Sequence, residues 1–145
     1  MNKKSFTMIE LIFVIVVLGI LAAVALPKFY DLGQRSHVAN LVDFVGTLNG
    51  TTGHELWSRS IQDGNDGNIS SYESIHPYMA SIPHELDGDD LNFSKCGDDE
   101  YKTLIVSKKE ITGKEYNVTC KNGTSSTAPY FRLVDEDGKI LVTRD

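Results

Sequence analysis

Basic clusters, catalytic signatures and cysteines are all scarce in this chain. Its 14 Lys and Arg are outnumbered by 20 Asp and Glu, giving a formal charge of −6 over 145 residues. Gripping nucleic acid takes clustered cations that displace counterions from phosphates, so direct nucleic-acid binding is not expected. Nucleophile motifs and phosphate-cradling glycine loops are missing. The histidines His37, His54, His76 and His84 are scattered, and His54-Glu55 lacks the second His of a zinc-protease helix. Enzymatic activity is therefore not expected. Two cysteines, Cys96 and Cys120, lack the paired ligand spacing that a structural zinc site requires. The most consequential absence is of charge near the start. Between Lys4 and Lys28 lie 23 residues, and Glu10 is the one charged side chain among them.

That stretch contains FTMIELIFVIVVLGILAAVAL, Phe6 to Leu26, 21 residues. At about 1.5 Å per residue a helix of that length spans roughly 31 Å, close to the hydrocarbon thickness of a bilayer. It is too long for the apolar region of a secretory signal, and no small-residue cleavage site follows it. Lys3 and Lys4 precede it, which places the N-terminus on the cytoplasmic side. A carboxylate inside such a helix is costly wherever it meets lipid. Glu10 therefore points to a positive partner inside an assembly, and a free amine at Phe6 would be a nearby source. Pro27 lacks an N–H and crowds the carbonyl of Ala23, and Gly19 adds backbone freedom, so the helix is expected to loosen between them.

The segment KKSFTMIEL followed by IFVIVVLGILAAVALP closely resembles the N-terminus of type IV pilins and type II secretion pseudopilins. The resemblance implies that residues 1–5 are a leader removed by a prepilin peptidase, which then methylates Phe6. Ser5 stands where the family usually carries Gly. It further implies that Glu10, fifth in the mature chain, attracts the Phe6 amine of a neighbouring subunit, and that Gly19 and Pro27 are the helix-weakening positions. Residues 6–27 would be a transmembrane and filament-core helix and residues 28–145 an exported head. The implied partners are other pilin-like subunits, the peptidase and an inner-membrane assembly platform. The implied location is the inner membrane, single-pass and N-in, before assembly, and a periplasmic or cell-surface filament afterwards. The alternative is an anchored, exported binding module for a cation or a glycan that does not polymerise.

Removing the leader takes away Lys3 and Lys4, so the side-chain balance becomes 12 − 20 = −8. Cys96 and Cys120 both lie in the exported region, where disulfides persist, and are predicted to pair. From Lys28 to about Arg59, Leu32, Ala39, Val42, Val45, Leu48, Thr52 and Leu56 recur three or four residues apart and predict a helix. Gly33, Gly46, Gly50 and Gly53 weaken it, so a sheet must support it. Trp57, near its end, is expected to pack under that sheet. QDGNDGNISSY, residues 62–72, ends the helix, and a short helix is expected around Ser71–Ala80. Four strand-like runs follow: Lys102–Ser107, Glu115–Cys120, Tyr130–Val134 and Lys139–Thr143, the last two joined by the hairpin signal Asp135–Gly138. The predicted fold is α+β, a long helix on a small antiparallel sheet.

Two secondary signals remain. Acidic turns at Asp63–Ile69, Asp87–Asp90 and Asp135–Gly138 would suit calcium, although in the first the sixth position is Asn68 rather than the Gly of an EF-hand loop. Solvated turns on an acidic surface are the favoured reading, so no metal or cofactor is expected. N-x-[ST] occurs at Asn49, Asn68, Asn92, Asn117 and Asn122. Asn68, Asn92 and Asn117 also carry an acid two residues earlier, which resembles the extended acceptor of bacterial periplasmic oligosaccharyltransferases. Glycosylation of at least one of these three would require an exposed loop.

Overall fold

The computed structural model describes residues 5–142. Lys3 and Lys4, and Thr143 at the end of the last predicted strand, lie outside the described residues. The chain divides after Arg35 into two compact units.

Helix α1 runs over Met8–Thr47. It stays helical through Gly19 and Pro27, so the carbonyl that Pro27 leaves without a donor is not enough to end it. Within the first unit, every large apolar side chain from Phe6 to Leu26 is exposed. The exposed Asp31 and Arg35 form an ion pair one turn apart, 3.0 Å.

In the second unit the chain remains helical to Gln62, in two steps. A single π-helical turn, Leu48–Thr52, interrupts the ordinary helix before α2, Gly53–Gln62. The local sequence LNGTTG is poor in helix formers, so packing rather than propensity sets the turn's shape. The Gly53 N–H reaches back to the Leu48 carbonyl, and a β-carbon at Gly53 would collide with that carbonyl and press on the Phe131 ring. The bulge also turns Asn49 inward. Its amide donates to the Phe131 carbonyl (2.9 Å) and accepts from the Phe131 N–H (2.9 Å), which ties the helix to the sheet. Asn49→Ala leaves both buried backbone groups without partners and should destabilise the fold by about 2–4 kcal/mol. Urea unfolding of the full chain in detergent measures this. A loss under about 0.5 kcal/mol, the size of an ordinary surface substitution, would show that the tie is dispensable.

The sheet is four-stranded and antiparallel in the order β1-β2-β3-β4. The strands are Lys102–Val106, Tyr116–Lys121, Tyr130–Asp135 and Ile140–Val142. A four-residue helix, α3 (Lys109–Thr112), closed by Gly113 in the left-handed conformation, joins β1 to β2. Strand β3 alternates strictly, with Phe131, Leu133 and Asp135 inward. In register, Cys120 faces Phe131 and Val118 faces Leu133. The hairpin between β3 and β4 closes as predicted. The Asp135 carboxylate accepts from the backbone N–H of Asp137 (3.1 Å) and Lys139 (2.8 Å), while Gly138 takes φ +81°.

One core joins these parts. Leu41, Phe44, Val45, Leu48 and Leu56 of the helices meet Val118, Cys120, Phe131 and Leu133 of the sheet, with Ile69, Ile75, Leu86, Leu91 and Phe93 from the long connection. The buried face differs in part from the predicted stripe: Leu32 and Ala39 are exposed, and Leu41 and Phe44 replace them. The expected short helix at 71–80 is absent. Turns built on the Ile75 carbonyl, which accepts from Tyr78 and Met79, take its place. Pro77 cannot donate in such a helix, and Asp90 holds the Ile75 (2.9 Å) and Leu91 (2.7 Å) N–H groups to a loop geometry. Trp57 does not lie under the sheet. It is half-buried and donates its indole N–H to the Thr124 carbonyl (2.7 Å).

Candidate functional site

The N-terminal end of α1 combines an apolar surface with a single acid. Thr7 and Glu10 form a reciprocal cap there. The Thr7 N–H and hydroxyl both donate to Glu10 Oε2 (2.8 and 2.9 Å), and the Glu10 N–H donates to Thr7 Oγ1 (3.3 Å). This is the arrangement that Ser/Thr-x-x-Glu produces at a helix start, where it satisfies donors left without an intrahelical partner. The pattern was legible as Thr7-Met8-Ile9-Glu10, yet attention to charge alone passes over Thr7. The acid therefore has two distinct capacities. It caps its own helix, and it offers a carboxylate to any cation brought against an apolar face. Around it, Phe6, Ile9, Phe13 and Val14 form an exposed apolar surface. Soluble proteins rarely leave so long an apolar run uncovered. The helix is long and apolar enough to cross a membrane.

The remaining sequence-selected residues lie elsewhere. Cys96 and Cys120 are disulfide-bonded, both buried, joining the loop after Phe93–Lys95 to strand β2. Among the sequons, Asn49 and Asn122 are buried and fully engaged. Asn122 accepts from the Ile69 N–H (3.0 Å) and donates to Ser70 Oγ (2.8 Å) and Asp98 Oδ1 (2.9 Å). Asn68 is half-buried, donating to Asp98 Oδ1 (3.1 Å) and accepting from the Ser70 N–H (2.8 Å). Asn117 sits inside β2, opposite Val106 and Val134. Asn92 is in a loop, where its oxygen accepts from the Ser94 N–H (2.9 Å).

Several carboxylates of the acidic turns are engaged locally. Asp63 accepts from the Tyr72 hydroxyl (2.6 Å), and burial together with that bond pushes the Tyr72 pKa up to about 12. Glu136 and Asp137 pair with Lys109 (2.8 Å) and Lys114 (2.7 Å). Among the described residues, the one cluster of three metal-ligating side chains is instead His37, His84 and Glu85. Burial raises the Glu85 pKa, but hydrogen bonds from Asn40 and His37 outweigh it and hold the carboxyl below its ordinary value.

Residues 1–26 match the family described as "Prokaryotic N-terminal methylation motif". Beyond that segment, the chain is 36% identical over 129 residues to the "Type IV major pilin protein PilE" of Neisseria gonorrhoeae, covering 86% of this chain and 71% of that protein. It belongs to the type IV pilin family. A second relative, the "Type IV major fimbrial protein FimA" of Dichelobacter nodosus, is 31% identical over 107 residues, 62% of this pilin and 67% of FimA. The "Type IV narrow pilus major component PilA5" of Thermus thermophilus is 51% identical, but over 41 residues, 28% of this pilin and 35% of PilA5. The chain thus spans about a third of PilA5. No solved structure matches it. Family membership agrees with the architecture of this pilin, a long apolar helix leading into an α+β unit with a four-stranded antiparallel sheet.

Proposed function

We propose that this pilin is a structural subunit of a type IV pilus rather than an enzyme, polymerised through its N-terminal helix. The observation that carries this reading is the uncovered apolar face from Phe6 to Leu26 with Glu10 as its single charge. Before assembly, lipid covers the face and the chain spans the inner membrane with Lys3 and Lys4 in the cytoplasm. In the filament, equivalent helices cover it. A prepilin peptidase cuts between Ser5 and Phe6 and methylates Phe6, and an assembly platform then draws the helix out of the bilayer. The new Phe6 amine of one subunit meets Glu10 of the next, so neither charge is left alone in an apolar core. Gly19 and Pro27 let the helix adapt between lipid and the filament. The type II secretion pseudopilus remains a second assembly of the same kind, and the three named relatives, all pilus or fimbrial proteins, favour the pilus.

Intact mass and N-terminal sequencing of the protein from its own cells test the reading. The expected N-terminus is N-methylated Phe6. A chain that still begins at Met1 would have no amine in position, and the polymer reading would fall. The same mass reports on glycosylation. Of the three acid-preceded sequons we assign Asn92 as the acceptor, because it lies in a loop and, among the described residues, its amide nitrogen makes no hydrogen bond. A mass equal to the methylated polypeptide with its disulfide removes that assignment.

A further inference from the structure

His37 and Glu85 are 48 residues apart in sequence, and His84 adjoins Glu85, yet the three side chains converge. His37 Nδ1 is 2.8 Å from Glu85 Oε1, and His84 Nδ1 is 3.3 Å from Oε2. The imidazole rings stand edge to face with centroids 5.5 Å apart. Glu85 is only 1% exposed. Among the described residues no Lys or Arg forms an ion pair with it, and its partners are the two imidazoles and the Asn40 amide (2.9 Å). A buried carboxylate is retained only where cations or strong donors offset its lost hydration. Here two of the flanking groups, the imidazoles, are of a kind that ligates metals.

We infer that His37, His84 and Glu85 form a binding site for a divalent transition-metal ion of the Zn2+ type. Two imidazole nitrogens and a carboxylate oxygen are a common zinc donor set, with the fourth position left to water. Tetrahedral zinc with bonds of about 2.0–2.2 Å places its ligand atoms about 3.3 Å apart. The three ligand atoms here lie within 4.8 Å of one another, so small side-chain rotations bring them to that spacing. Asn40 steadies the carboxylate, as outer hydrogen-bond partners do at metal centres. The backbone on the other side is fixed too. Lys108 donates its N–H to the Glu85 carbonyl (2.7 Å) and its ammonium to the His84 carbonyl (2.8 Å). The site also has an entry path, because the His84 side chain is 69% and that of His37 36% exposed. An all-oxygen ion such as Ca2+ gains little from two imidazoles. Metal bound here would clip α1, which supplies His37 and Asn40, to the segment that leads into β1.

Titration calorimetry decides the matter, using untagged full-length protein in detergent micelles after chelator treatment. Zn2+ should bind at one equivalent per chain, and Ca2+ at equal concentration should not compete with it. His84→Gln removes a largely exposed ligand and leaves the fold intact by circular dichroism. It should weaken binding at least about tenfold, and Asn40→Ala about 10–100-fold, the range for lost outer-shell partners. X-ray absorption of the zinc-loaded protein should show imidazole scattering. Absence of zinc binding to the wild type, or unchanged binding by the folded His84→Gln variant, overturns the assignment.

Discussion

Cells carrying Glu10→Gln should hold normal amounts of the protein in the membrane and yet display almost no filaments. Glutamine preserves what the structure shows Glu10 doing within its own chain. Its side-chain oxygen still accepts from the Thr7 N–H, because Gln serves a reciprocal cap nearly as well as Glu. What glutamine removes is the charge. In the proposed filament, that change leaves the Phe6 amine of the neighbouring subunit alone among apolar helices. Deleting one partner of a buried ion pair costs about 3–5 kcal/mol. With about tenfold for each 1.4 kcal/mol, filament yield should drop by roughly 100-fold or more. Sheared pili quantified against membrane-fraction protein give the measurement. Thr7→Ala is the complementary change. It loses the cap, worth about 1 kcal/mol, and keeps the charge, so assembly should decline only modestly. Glu10→Gln cells with wild-type filament numbers would mean that the acid is a helix cap and nothing more. Glu10→Val further separates a polymer from an anchored binding module, since the latter should be indifferent to it.

Loss of the disulfide should have the second large effect. Cys96 and Cys120 close a loop of sequence separation 24. In the chain-entropy account, opening such a loop destabilises the fold by about 3–4 kcal/mol. That is a large part of the roughly 5–15 kcal/mol that holds a typical domain together. The Cys96→Ala/Cys120→Ala double variant leaves small voids as well, because both sulfurs are buried against the core that includes Phe93 and Phe131. Its urea midpoint should therefore fall well below that of the oxidised wild type, and the wild type with reductant should fall nearly as far. A double variant within about 1 kcal/mol of the wild type would show that core packing alone maintains this unit.

Much of the second unit was legible because its signals are local. The runs at 102–107, 115–120 and 130–134 carry β-branched or alternating residues, and each became a strand within a residue or so of its expected ends. Asp135–Gly138 encodes its own turn, since the Asp135 carboxylate and Gly138 serve the hairpin without help from distant residues. The 71–80 segment forms turns rather than the expected helix because its conformation is set by Asp90, which lies outside it and captures the Ile75 N–H. The helical stripe holds at Val45, Leu48, Thr52 and Leu56 and fails at Leu32 and Ala39 for a related reason. Periodicity gives the spacing of buried positions, while the π-turn at Leu48–Thr52 and the position of Phe131 decide which of them turn inward.

The chemistry divides along the same line. The sequence by itself determined the apolar helix and its lone acid, because each depends on neighbours in the chain or on composition. Only the tertiary structure decided that Asn49 and Asn122 are internal struts, and that His37 meets His84 and Glu85. Such meetings depend on where a long connection returns against a helix. That path is chosen by the burial of many apolar side chains at once, and no short stretch of residues records it.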